Sequence, residues 1–95
     1  FAAEHLPEMQ GFLEETLGSL VAYDTQHGAE LVRTLEAFFQ ANCSPKETAQ
    51  LLQVHRNTVL YRLDRIGAIM QVDLNDPDTR LRLHLALHVR LALAA

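Results

Sequence analysis

Residues 44–66, SPKETAQLLQVHRNTVLYRLDRI, read as two short helices joined by a tight turn. Ser44 can cap the first helix, Pro45 suits its first position, and Glu47 completes an S-x-x-E capping box. Ala49, Leu52, Val54, Val59 and Leu63 put small or apolar side chains where two crossing helices would meet. In the second helix Val59, Leu63, Ile66 and Met70 recur at i, i+4, i+7 and i+11, one stripe of a 3.6-residue helix. With Val59 inward, Asn57, Tyr61, Asp64 and Arg65 project away from the core, and Leu60 and Arg62 lie on opposite flanks.

The exposed start of that second helix is cationic. His55, Arg56 and Asn57 stand where side chains and free backbone N–H groups can both reach a phosphate or a base edge. A helix presented in this way can enter the major groove of double-stranded DNA.

The string VHRNTVLYRLDRI (54–66) resembles the recognition helix of the PucR/CdaR family of bacterial transcriptional regulators. The HRNT-x-x-YRL pattern carries the resemblance. The flanks extend it over nearly the whole chain: AEHLPEM (3–9), LVAYDTQHGAELVRTLEAFF (20–39) and VDLNDPDTRLRLHLALHVR (72–90). Val59 stands where the family usually has Leu, and Leu60 and Asp64 where it often has polar or basic residues. The resemblance implies a C-terminal helix-turn-helix domain, an upstream sensory region answering to a metabolite, and control of catabolic genes, often by activation. A homodimer of the full-length protein is expected from the modest charge of one copy, below.

Ninety-five residues with 48% hydrophobic content suit one domain with a real core. The chain starts at Phe1 rather than Met, which reads as a segment of a longer protein. We therefore expect residues 1–95 to form a single helical DNA-binding domain, with the helix-turn-helix at 44–66. The net charge of −4 looks wrong for a DNA binder until it is resolved by region. Residues 1–43 hold seven acids and only Arg33, whereas 44–66 hold Lys46, Arg56, Arg62 and Arg65 against Glu47 and Asp64. The positive charge is local. Four cations neutralising phosphates give a log-log salt slope of roughly −3 to −4 for one copy. One copy should bind weakly, and two copies on a two-fold operator more tightly.

Cys43 has no partner within the chain, which suits a reducing cytoplasm and reads as a small residue at a helix junction. The apolar C-terminal run is interrupted by Arg82, His84, His88 and Arg90, so it is not a membrane span.

The fold expected is all-α, a compact bundle of about five helices. The first covers roughly 7–23, with Gly11 and Gly18 as candidate breaks, and 24–28 forms a turn or irregular start. The second covers about 29–41 and ends at Asn42 and Cys43. The recognition helix continues to Met70 or Gln71. Asn75-Asp76-Pro77-Asp78 is a strong helix start. The segment after it alternates Leu strictly from Leu81 to Leu93, a strand signature, yet its Leu, Ala and Arg content and its cap favour a helix. Such a helix is apolar nearly all round. We expect it to pack on the helix-turn-helix with one face and on a second subunit or another domain with the other.

Arg56 is the candidate base reader, because a bidentate guanidinium fits the guanine O6/N7 edge. Asn57 could read adenine or cap the helix start. His55 either caps the helix or touches phosphate. Thr58 can donate to phosphate or bond within the first turn, and Tyr61 can reach phosphate or pack over the backbone. Arg62 and Arg65 are expected to anchor phosphates, or else to pair with Asp64 or a distant acid. Lys46 lies where the first helix of the pair would cross the backbone. His84 and His88 could form half of a metal site, but no third ligand accompanies them, and neither metal nor cofactor is expected. No catalytic triad or glycine-rich phosphate loop is visible, so the chain does not read as an enzyme. The rival reading is a helical oligomerisation or protein-interaction module, favoured by the oily C-terminal helix and the acidic first half.

Overall fold

A computed structural model describes residues 3–94. Among these, a 3-10 turn (Ala3–His5) leads into five helices: α1 (Leu6–His27), α2 (Leu31–Gln40), α3 (Pro45–Leu52), α4 (Arg56–Met70) and α5 (Pro77–Ala94). The all-α expectation holds, and the described residues contain no strand.

Helix α1 runs unbroken through Gly11 and Gly18 and a full turn beyond Tyr23. Glycine in a helix interior costs about 1 kcal/mol relative to alanine, and burial of Leu17 and Leu20 outweighs it. The extra turn places Asp24 inside α1 rather than in a loop. Its carboxylate accepts from the backbone N–H of Leu31 (2.9 Å) and of Val32 (2.8 Å), so α1 caps the start of α2. Gly28 ends α1 in the left-handed region, its N–H donating to the Asp24 carbonyl.

Helix α2 is the centre of the molecule. Leu31, Val32, Thr34, Leu35, Ala37, Phe38 and Phe39 are all buried. Leu31, Val32, Leu35, Phe38 and Phe39 join Leu17 and Leu20 of α1, Ile66 of α4, and Leu83, Ala86 and Leu87 of α5 in one core. Asn42 and Cys43, both at positive φ, turn the chain out of α2, and the Cys43 N–H donates to the Phe38 carbonyl.

Ser44 caps α3 as expected, its Oγ accepting from the Glu47 N–H at 3.2 Å. The reciprocal half of the box is missing: the Ser44 N–H donates instead to the Ala41 carbonyl. Replacing Ser44 with alanine should therefore cost about 0.5–2 kcal/mol in urea unfolding, while Glu47→Ala costs less than about 0.5 kcal/mol. Equal losses for the two would show that the box closes in solution. The turn to α4 is made at Gln53, φ 56°, and the Val54 N–H donates to the Ala49 carbonyl.

Asp76 is the cap of α5, its Oδ2 accepting from the Thr79 N–H at 2.9 Å. The leucine alternation does not make a strand. Leu83, Ala86 and Leu87, at helical spacing, are the buried positions. The expected docking of this helix on the helix-turn-helix is not seen. Helix α5 packs along α1 and more briefly on α2, with Leu81, Leu85 and Leu91 left exposed in the single chain. The reason is that the apolar faces of α1 and α2 already fill the space behind α4. Arg80 pins the connection before α5, donating from Nε to the Leu74 carbonyl and lying 5.8 Å from the Phe38 ring centroid.

Candidate nucleic-acid interface

Val59 and Ile66 are fully buried and fix which side of α4 faces in. Leu63 and Met70, expected on the same stripe, are only half-buried at its edge. Asn57, Tyr61 and Asp64 fall on the opposite side at i, i+4 and i+7, with Leu60 on the flank beside Asp64, and all four are exposed. Tyr61 is 65% exposed and Leu60 39%.

The start of α4 is shaped by His55. Its backbone is extended, and its Nδ1 accepts from the Asn57 N–H at 3.0 Å. An accepting Nδ1 carries no proton, so the neutral ring keeps its proton on Nε2, pointing away as a free donor. Of the two roles open to His55, the structure shows the cap. The cap uses the backbone of Asn57 and leaves its side chain exposed. Arg56 and Lys46 are exposed, with no ion pair or side-chain hydrogen bond among the described residues. Thr58 is half-buried beside them, its N–H donating to the His55 carbonyl.

The other two cations of the pair lie differently. Arg62 is only 19% exposed at its side chain; its Nη1 donates to Thr34 Oγ1 (3.3 Å) and its Nη2 stands 3.8 Å from Glu30 Oε2. Arg65 donates from Nη2 to the Tyr23 hydroxyl at 3.2 Å, its guanidinium 5.5 Å from that ring's centroid. That hydrogen bond, with the coulombic pull of Tyr23, raises the Arg65 guanidinium above its already high ordinary value. Arg62 thus ties α4 to α2, and Arg65 ties it to α1. Pairing with a distant acid was one reading of Arg62, and Glu30 is that acid. Thr34 and Tyr23 went unrecognised, because partners 28 and 42 residues away leave no trace in local spacing.

Elsewhere, His84 and His88 approach to 3.1 Å between Nε2 atoms, and His84 stacks on Phe39 at 4.8 Å. Among the described residues no group of three or more His, Cys, Asp or Glu is placed to hold a metal ion. Cys43 is half-buried and free. No helix among them is long and apolar enough to cross a membrane.

Comparison with known proteins gives this geometry its setting. The model of the PucR C-terminal helix-turn-helix domain matches residues 31–89, from the start of α2 into α5. The chain is 40% identical over 83 residues to the purine catabolism regulatory protein of Bacillus subtilis (strain 168), covering 87% of this chain and 15% of that protein. It is 34% identical over 80 residues to the DNA-binding transcriptional activator AdeR of the same organism, covering 84% and 19%. It is 46% identical over 59 residues to the carbohydrate diacid regulator of Escherichia coli (strain K12), covering 62% and 15%. The chain thus spans less than a quarter of the length of these relatives. No solved structure matches it. A helix-turn-helix with an exposed, N-capped second helix, matched by that model and by transcriptional regulators rather than enzymes, places this chain in the PucR C-terminal helix-turn-helix family of DNA-binding domains.

Proposed function

We propose that α4 is the recognition helix and lies in the major groove with Arg56 and Asn57 on base edges. Lys46, the His55 Nε2–H, Thr58 and the Tyr61 hydroxyl hold phosphates at the rim. Arg62 and Arg65 add positive charge to this side while their guanidinium groups stay on α2 and α1. The observation that carries the reading is the division of α4 into a sealed side at Val59 and Ile66 and an open side headed by unpaired Arg56.

With Arg62 and Arg65 so engaged and Arg56 on a base edge, Lys46 is the one cation of residues 44–66 left for phosphate. The log-log salt slope for one copy should then be about −1 rather than −3 to −4. Titration of a labelled duplex at several salt concentrations measures it. A slope of about −3 would show both guanidinium groups leaving their partners for the DNA, and no binding at the lowest salt would remove the reading.

A single copy with so few phosphate contacts binds weakly. We therefore favour a homodimer of the full-length regulator in a bacterial cytoplasm, reading half-sites about one helical turn apart. In that arrangement residues 1–95 are its DNA-binding domain, and the effector site lies upstream. The names of its relatives, a purine catabolism regulator and a carbohydrate diacid regulator, support a catabolic metabolite as effector.

A further inference from the structure

The open side of α4 has an unexpected composition. Asn57, Tyr61 and Asp64 line it, Leu60 borders it on one flank, and none of them is a cation. Leu60 is 39% exposed, an apolar side chain beside two polar ones. Asp64 is exposed and in no ion pair among the described residues. Its helix neighbours at three and four residues are Leu60, Tyr61, Gly67 and Ala68, so no cation stands at ion-pair spacing on α4. The adjacent Arg65 feels its charge, but donates its hydrogen bond to Tyr23. An unpaired carboxylate repels phosphate, and a leucine gains nothing from it. Neither residue suits the rim of the groove.

Both suit its floor. The major groove offers an aliphatic side chain one apolar feature, the thymine methyl, and offers a carboxylate only amino donors. The adenine amino group sits between two acceptors, adenine N7 and thymine O4, which repel a carboxylate. The cytosine N4 amino group has an acceptor, guanine O6, on one side only. We propose, building on the placement of α4 in the major groove, that Leu60 and Asp64 are specificity-determining residues, Leu60 seated on a thymine methyl and Asp64 accepting from a cytosine 4-amino group. One helical turn separates them, about 6 Å along the axis. The two bases therefore stand roughly one to two steps apart at about 3.4 Å per step.

Selection of bound sequences from random duplexes, with wild type, Leu60→Ala and Asp64→Ala, tests this. The wild-type half-site should hold a thymine and a cytosine at that separation. Asp64→Ala should lose about tenfold discrimination for C·G at a single position, while binding unrelated duplexes more tightly because a repelling charge has gone. Replacing the thymine by deoxyuridine should weaken the wild type about fourfold and leave Leu60→Ala unaffected. Asp64 is exposed, so its variant should melt with the wild type. Leu60 is 39% exposed, so Leu60→Ala should melt a few degrees lower and still fold, and its deoxyuridine comparison is read against its own thymine duplex. A wild-type half-site in which no preference moves in either variant overturns the assignment and leaves α4 reading through other residues. A wild-type chain that retards no duplex at low salt overturns the groove placement itself, and this proposal with it.

Discussion

Ile66→Ala is expected to destabilise the domain by about 2–5 kcal/mol, against a total of about 5–15 kcal/mol for a small domain. Ile66 is fully buried and is the one fully enclosed residue of α4 in the central core with Leu20, Leu35 and Leu83. Its helix packs on α1 and α2, and a close-packed interior relaxes only partly around a lost side chain. The loss combines transfer of apolar surface with the cavity left behind. Leu63→Ala, at the half-buried edge of the same helix, should cost less than Ile66→Ala. Urea unfolding of the two variants measures the order. A loss below about 1 kcal/mol at Ile66 would mean that α4 is seated on a different side.

Arg56→Ala together with Asn57→Ala is expected to abolish sequence-specific binding and leave the fold intact. Each bidentate base contact contributes about 1–3 kcal/mol of discrimination, so the pair should cost on the order of a hundredfold or more in affinity for the preferred site. Stability should change little, because both side chains are exposed and the cap of α4 runs from His55 to the backbone of residue 57. Mobility shift at low salt beside a thermal melt separates the two effects. Equal retardation of wild type and double variant would take the base-reading role from Arg56 and Asn57.

Much of this was legible in the sequence, and the reasons are local. Ser44, Pro45 and Asp76 announce their helices through caps that act within three residues. Val59 and Ile66 set the inward side of α4 through periodicity alone. The end of α1 was hidden because Asp-Thr-Gln-His reads as a turn, whereas Asp24 belongs to the helix and caps α2 across the corner. The partners of Arg62 and Arg65 were hidden because Glu30, Thr34 and Tyr23 reach them only once α1 and α2 have docked. The leucine alternation of α5 misleads for a related reason: alternation is a surface pattern, and here the neighbours on α1 and α2 decide which leucines are covered.

The corners of the molecule carry one more lesson. Glu30, Asn42, Cys43, Gln53 and Gln71 all sit at φ between 53° and 63°, and none is glycine. A β-carbon in the left-handed region has only a small steric well to occupy, where glycine would roam. Sterics alone would let these residues leave, so their neighbours must keep them there. In the turns that flank α4 the Gln53 N–H donates to the Ala49 and Gln50 carbonyls and the Gln71 N–H to the Gly67 carbonyl, so the bearing of α4 is set by bonds that any duplex would meet already made.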